Sequence, residues 1–134
     1  MKTLIKEKFE SYPDEIQSSL LRVRELVFDV AKEDGLGPVE ESLKWGELSY
    51  RATGGSAVRL GWRDKSPDNL YVFFHCQTSL IETFKELYGD LFKYEGSRAI
   101  ALDLSRPLAI QELKHCIALA MQYHKLKHLP LLGA

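Results

Sequence analysis

Cysteine is scarce in this 134-residue sequence, which contains Cys76 and Cys116 and no Cys-x-x-Cys spacing. This scarcity argues against a disulfide framework and against a cysteine zinc site. Apolar runs are short as well. None approaches the ~20 residues of a membrane-spanning helix, and residues 1–7 lack the continuous apolar core of a signal peptide. Together these absences predict a cytoplasmic protein that has no membrane partner.

The sequence also has no marked excess of positive or negative charge. The formal net charge is -1, from 18 Lys and Arg against 19 Asp and Glu. Because proteins bind nucleic acid through a clustered basic face, this balance predicts no nucleic-acid partner. The hydrophobic fraction of 45% and the charged fraction of 28% are typical of a globular protein. The length favours one domain that spans residues 1–134.

Apolar residues recur at steps of three and four near both ends of the chain, and this spacing predicts amphipathic helices. One apolar stripe runs from Ile16 to Val30, and Pro13 suits the first turn of its helix. A second stripe runs from Ile110 to Met121, in a helix that is expected to start at Pro107. The segment Glu41–Trp45 is interpreted as a short helical turn that leads into a sheet.

The middle of the chain has the composition of β-strands. The predicted strands are Leu48–Arg51, Ala57–Trp62, Leu70–Cys76, Leu91–Tyr94 and Ala99–Leu104. Gly54-Gly55 predicts a hairpin turn, and no helix or Lys-Ser/Thr follows it as a phosphate loop requires. The order of elements predicts an α+β fold. We expect a two-layer sandwich whose antiparallel or mixed sheet has about five strands, with the N- and C-terminal helices on one face.

Alternation along the strands assigns their side chains to two faces. One face lies under the helices. The opposite face is predicted to carry Arg59, Gly61, Tyr71, Phe73, His75, Ala99, Ala101 and Asp103. Small residues beside aromatic ones leave space for another molecule. A helix, the second subunit of a homodimer or a ligand could cover this face, and burial in an interface is the commoner arrangement.

The segment Glu41 to Tyr50 resembles a motif of the YdhG-like family of small bacterial domains of unknown function. That motif reads Glu-x-x-x-Trp-Gly-x-Pro-x-Tyr. Glu41, Trp45, Gly46 and Tyr50 match it, while Leu48 stands where the family usually has Pro. The order of elements is similar over nearly the whole chain. The resemblance implies a YdhG-like fold and indicates no reaction.

The residue types on the second face and beside it are typical of a recognition surface. An Arg can clamp a carboxylate or a phosphate, aromatic side chains can cover a flat apolar group, and a His can titrate near neutral pH. The candidate ligand-binding residues are Glu41, Trp45, Tyr50, Arg59, Tyr71, His75 and Asp103. For Trp45 the commoner role is structural, as a plug between helix and sheet with its N–H hydrogen-bonded.

Metal binding is a further hypothesis. Glu25, Asp29 and Glu33 are spaced one helical turn apart, and rows of carboxylates offer hard oxygen ligands to cations. The YdhG-like family includes a frataxin-like iron chaperone, so the resemblance implies iron as the cation. A solvated helix face accounts for the same spacing. The residues themselves indicate no cofactor.

Three functions therefore stay open. The leading prediction is a cytoplasmic module that binds a small molecule or another protein. The second is an iron-handling protein. The third is a small enzyme that uses His75 with Asp103 as an acid–base or orienting pair. Because no nucleophile motif accompanies this pair, the sequence favours binding over catalysis.

Overall fold

The computed structural model describes all residues from Met1 to Ala134. The helices are α1 (Thr3–Glu10), α2 (Asp14–Glu33), α3 (Leu80–Tyr88), α4 (Ile110–Met121) and α5 (Tyr123–Leu126), and short 3-10 turns occur at Gly89–Leu91 and Pro130–Gly133. The strands are β1 (Glu40–Lys44), β2 (Glu47–Arg51), β3 (Val58–Trp62), β4 (Asn69–Phe73), β5 (Lys93–Glu95) and β6 (Ala99–Asp103). None of the helices has both the length and the apolar character needed to cross a membrane.

The six strands form one sheet in the order β1-β2-β3-β4-β6-β5. All of its neighbouring strands are antiparallel. The predicted α+β fold is confirmed, with one strand more than expected. Helix α4 begins at Ile110 rather than at Pro107.

The helices pack on one face of the sheet and form the main core with it. The stripe of α2 is buried from Ile16 to Val30, and α4 buries the stripe from Leu113 to Met121. Both stripes belong to a single cluster of 30 buried residues that also contains Leu60 and Phe74. These two strand residues are 0% and 2% exposed, as their predicted positions under the helices require. Burial of the apolar faces of helix and sheet is the main stabilising contribution.

The predicted helical turn at Glu41–Trp45 is wrong, because this segment forms strand β1 and the turn after it. Glu41 pairs with Tyr50, and Leu43 pairs with Leu48. Trp45 and Gly46 have φ angles of 54° and 77°, which are those of a type I′ hairpin turn. The local composition allows a helix, but the segment pairs with β2 instead, which hydrogen-bonds one edge of its backbone.

The other face of the sheet, called the outer face below, carries no helix. Its residues follow the predicted alternation: Arg59 pairs with Phe73, and Tyr71 pairs with Ala101. Tyr71, Ala99 and Ala101 form a small buried cluster against which Phe73 packs. The fold is therefore a two-layer sandwich with one open sheet face.

Candidate functional site

A groove of about 490 Å³ crosses the outer face near the β1–β2 turn. The groove is lined by Glu40, Ser42, Lys44, Trp45, Ser49, Arg51, Ala57, Arg59 and His75. Its volume lies within the range of small-molecule sites, roughly 300–1,000 Å³. We call it the arginine groove.

Strand register brings these side chains together. Ser42 pairs with Ser49, and Ser49 pairs with Arg59, so one row of outer-face residues crosses three strands. Arg59 pairs in turn with Phe73, the last residue of β4. His75 follows two residues later and reaches the groove from that side. Arg59 and His75, which the alternation assigned to the same face, both line the groove.

Positive charge predominates in the arginine groove. Lys44 and Arg51 make no ion pair within the chain, and Arg59 lies 3.4 Å from Glu47. Two carboxylates face these three cations, that of Glu40 in the lining and that of Glu47 beside Arg59. The Arg59 side chain is 33% exposed, so it is accessible to a ligand. Such a surface attracts small anions.

His75 is held by the turn that follows β4. Its Nδ1 accepts a hydrogen bond from the Gln77 N–H at 3.1 Å. The backbone carbonyl of His75 accepts a second bond, from the Thr78 N–H at 3.1 Å. Because Nδ1 is an acceptor here, a neutral ring carries its proton on Nε2. His75 can therefore donate from Nε2 to a bound anion.

The predicted structural role of Trp45 is wrong. Its side chain is 94% exposed and plugs no junction between helix and sheet. The reason is its place in the two-residue turn, which projects beyond the end of the sheet. An exposed indole at the edge of a groove offers a flat apolar surface to a ligand. Trp45 therefore lines the arginine groove with an exposed ring.

Glu41 and Tyr50 lie on the helix side of the sheet, so their predicted place in an outer-face site is wrong. Arg24 donates to Glu41 through Nε at 2.5 Å and through Nη2 at 3.0 Å. Tyr50 is 0% exposed, and its hydroxyl makes no hydrogen bond. Its ring meets Phe28 edge to face at 6.1 Å. Both residues are part of the contact between α2 and the first hairpin.

The pKa values within this contact follow from burial and charge. Burial, followed by the adjacent Glu41 carboxylate, raises the pKa of Tyr50 well above its usual range. Burial alone also raises the pKa of Glu41, but the hydrogen bonds and positive charge of Arg24 outweigh it, and the net pKa is lowered. Glu41 is thus held as a carboxylate by its partner.

Tyr71 lies on the outer face but is 4% exposed. The guanidinium of Arg63 lies 4.5 Å from the Tyr71 ring centre and 5.6 Å from that of Phe73. Arg63 is fixed there by Glu95, at 3.0 Å. The Tyr71 hydroxyl bonds the Ser66 hydroxyl at 2.8 Å. Arg63 therefore covers the aromatic pair, and Tyr71 lies outside the arginine groove.

Asp103 lies at the opposite end of the sheet from His75, so the predicted acid–base pair is not formed. Asp103 pairs with Asn69, which precedes His75 by six residues. At ~3.3 Å per residue, Asp103 and His75 are therefore roughly 20 Å apart along the strand direction. Its carboxylate accepts bonds from the N–H and hydroxyl of Ser105, at 2.9 and 2.6 Å. These bonds lower its pKa. Asp103 stabilises the turn after β6.

The acidic row of α2 is partly neutralised by cations. Glu25 pairs with Arg22 at 3.0 Å, and Glu33 pairs with Lys114 at 2.6 Å, while Asp29 makes no ion pair. No group of three or more His, Cys, Asp or Glu side chains is arranged to hold a metal ion. Iron binding at this row stays a prediction from the resemblance.

Ser42, Lys44, Ser49 and Arg51 line the groove but were not predicted as site residues. Alternation along β2 places Ser49 and Arg51 on the same face, so that signal was present in the sequence. The residues of β1 were missed because Glu41–Trp45 was interpreted as helical.

Comparisons with known proteins add one similarity. No family model matches the sequence, and no solved structure matches it. The sequence is 26% identical to Cytochrome P450 714B1 of Oryza sativa subsp. japonica over an alignment of 109 residues. The alignment covers 76% of this chain. The chain spans 20% of the length of that protein. A partial match at this identity shows neither a family nor an activity.

Proposed function

We propose that this protein binds a small anionic molecule with a flat apolar part in the arginine groove. The observation that carries the proposal is the convergence of Arg59, Lys44, Arg51 and His75 on one groove beside the exposed indole of Trp45. These side chains come from three strands and a turn, and two of the cations have no partner within the chain.

The chemistry of the groove defines the ligand class. Arg59 can bind a carboxylate or a phosphate through two parallel N–H donors. Lys44 and Arg51 add positive charge, and the hydroxyls of Ser42 and Ser49 can donate to the same anion. The indole of Trp45 suits a planar apolar group attached to it. A carboxylate or a phosphate ester of an aromatic molecule has both parts.

Binding without catalysis fits the groove better than an enzyme does. The acid–base pair of His75 with Asp103 is not formed, and His75, whose Nδ1 accepts from the Gln77 N–H, can donate to an anion through Nε2. Of the two free cysteines, Cys116 is buried, and burial raises the pKa of its thiol to about 12. Free cysteines are usual in the cytoplasm, where we place the protein.

We also propose that the chain is a YdhG-like domain. Support comes from the matching residues between Glu41 and Tyr50, and from the order of elements that the resemblance implies. Iron handling is the alternative function within that family, and it rests on the resemblance alone. A partner protein on the outer face is a further alternative, since this face carries no helix.

The proposal is tested by titrating the protein with phenyl phosphate, benzoate and inorganic phosphate. We expect the two aromatic anions to change the tryptophan fluorescence and to bind more tightly than inorganic phosphate, because they also contact Trp45. The variant Trp45→Phe should lose the fluorescence response. The other tryptophan, Trp62, lies away from the groove, with its indole N–H bonded to the Pro67 carbonyl at 3.0 Å.

Charge reversal identifies the anion site. Arg59→Glu should weaken binding by at least about tenfold, since hydrogen bonds to charged groups are worth ~1.5–3 kcal/mol. Arg106→Glu is the matched control, because it changes the net charge equally at an 81% exposed side chain remote from the groove. If both variants lost the same binding affinity, the loss would come from net charge alone, and the proposed anion site would be refuted. The absence of binding by all three probes at millimolar concentration would refute the ligand class.

A further inference from the structure

Strand β1 forms one edge of the sheet, and its outer edge is not paired. The neighbour of β1 is β2, and no strand lies on its other side. Apart from this pairing, no backbone hydrogen bond reaches residues 40–44. Helix α1 contacts β1, but its buried residues Ile5 and Phe9 belong to the main core on the helix side. An unpaired edge of this kind can accept another strand.

The turn geometry decides which backbone groups point away from β2. In a type I′ turn the Lys44 carbonyl accepts from the Glu47 N–H, so these two residues form a hydrogen-bonded pair. Bonded and non-bonded pairs alternate along an antiparallel ladder. The N–H and C=O groups of Glu41 and Leu43 therefore point to the free edge. A strand added there must bond to these two residues.

The edge is complementary to itself. If two copies of β1 pair antiparallel with Ser42 at the two-fold axis, Glu41 lies opposite the partner's Leu43, and both have free backbone groups. On the outer face, Glu40 then lies opposite the partner's Lys44. Glu40 and Lys44 are exposed, and neither makes an ion pair within the chain. Such a pair attracts across antiparallel strands.

The neighbouring residues extend the same charge pattern. Within one copy Glu40 pairs with Arg51, and Lys44 pairs with Glu47. Across the two-fold interface, one row of outer-face side chains would contain, in order, Arg51, Glu40, the partner's Lys44 and the partner's Glu47. Its charges alternate in sign over the whole row. Two identical edges with the same sign of charge at both positions would repel each other instead.

We propose that two copies of this chain associate through the free edges of β1, with Ser42 at the two-fold axis, to form one continuous twelve-stranded antiparallel sheet. A closed two-fold interface of this kind is the commonest symmetric assembly. Because a five-residue strand buries little surface, the dimer is weak and dissociates on dilution. The interface adjoins both arginine grooves, since Glu40, Ser42 and Lys44 line a groove as well as the edge.

Charge exchange tests the register. Sedimentation equilibrium of the whole chain at 10 µM to 1 mM should show a concentration-dependent monomer–dimer equilibrium. Lys44→Glu and Glu40→Lys each replace two attractive pairs by two repulsive ones, and each should weaken association by about tenfold or more. The double variant Glu40→Lys/Lys44→Glu restores opposite charges across the interface and should restore the dimer. Because both side chains are exposed, the variants should fold like the wild type.

Amide hydrogen exchange locates the interface independently of charge. The N–H groups of Glu41 and Leu43 should become protected as the protein concentration rises, while other edge amides, such as those of β5, stay unchanged. A monomer at 1 mM would overturn the proposal. A dimer in which these two amides exchange at an unchanged rate would overturn it as well. So would a double variant that associates no better than the single ones. Ligand titration below the dimer dissociation constant reports on the arginine groove separately, so the two proposals fail independently.

Discussion

The ion pair between Arg24 and Glu41 should stabilise the first hairpin on α2, and Glu41→Gln tests this. The Glu41 side chain is 13% exposed and Arg24 is 25% exposed, so both charges are largely removed from water. The substitution removes the negative charge and leaves the guanidinium partly buried beside the Phe28 ring, at 4.7 Å. Hydrogen bonds to charged groups contribute ~1.5–3 kcal/mol each, and the remaining amide oxygen keeps part of that. We expect the free energy of unfolding to fall by about 2 kcal/mol.

A matched control isolates the effect of burial. Glu25→Gln also removes one carboxylate charge, but from α2, where the side chain is 62% exposed and pairs with Arg22 at 3.0 Å. Exposed pairs of this kind contribute ~0.2–1 kcal/mol. Urea unfolding of both variants at pH 7 gives the comparison. Equal losses of stability in the two variants would refute the structural role assigned to Glu41.

The pH dependence follows from the direction of the pKa shift. The pKa of Glu41 is lowered in the folded protein, so folding is favoured by its ionised form. The contribution is fully present above the ordinary pKa of 4.5 and is lost as the pH falls through the lower folded value. The stability difference between wild type and Glu41→Gln should therefore shrink below about pH 4.5. A stability difference that grows as the pH falls would contradict the lowered pKa assigned to Glu41.

Three further predictions concern the core, a loop and the acidic row. Leu60→Ala should cost about 2–5 kcal/mol in unfolding experiments, because the residue is 0% exposed and leaves a cavity under the helices. Gly55→Ala should lower the thermal midpoint sharply, since an added Cβ would lie 2.3 Å from the Met121 carbonyl oxygen, and normal stability would contradict that packing. Calorimetry with ferrous iron should show no heat of binding, since Glu33 already pairs with a lysine. A heat that disappears in Asp29→Asn/Glu33→Gln would instead establish the iron site.

The segment Glu41–Trp45 shows why local pattern was insufficient at the first strand. Its residues are compatible with a helical turn, and five residues contain too little periodicity to separate helix from edge strand. Pairing with β2 decided the outcome, because it satisfies backbone groups that a single turn leaves free. The same pairing turned Glu41 towards α2 and left Trp45 exposed in the turn. The wrong predictions for Glu41 and for Trp45 therefore have the same cause.

His75 and Asp103 show the corresponding limit for the site. Alternation placed both on the outer face of neighbouring strands, and it contains no information about register. The observed register pairs Asn69 with Asp103, so Asp103 and His75 are separated by more than the length of β4. Arg59 and His75 both line the arginine groove, because β3 and β4 form a hairpin that is local in sequence. Pairing between strands near in sequence was thus easier to predict than pairing across an intervening helix.

The sequence by itself determined the two amphipathic helices, five of the six strands and the division of the sheet into a buried face and an outer face. Periodicity encodes these features, because burial of apolar side chains repeats every 3.6 residues in a helix and every two in a strand. Only the tertiary structure decided the register, the edge strand β1 and the groove that unites Lys44, Arg51 and Arg59 with His75. The physical reason is that these features depend on contacts between distant segments. Their free energy comes from packing and backbone pairing in the assembled sheet, and a local sequence pattern does not contain it.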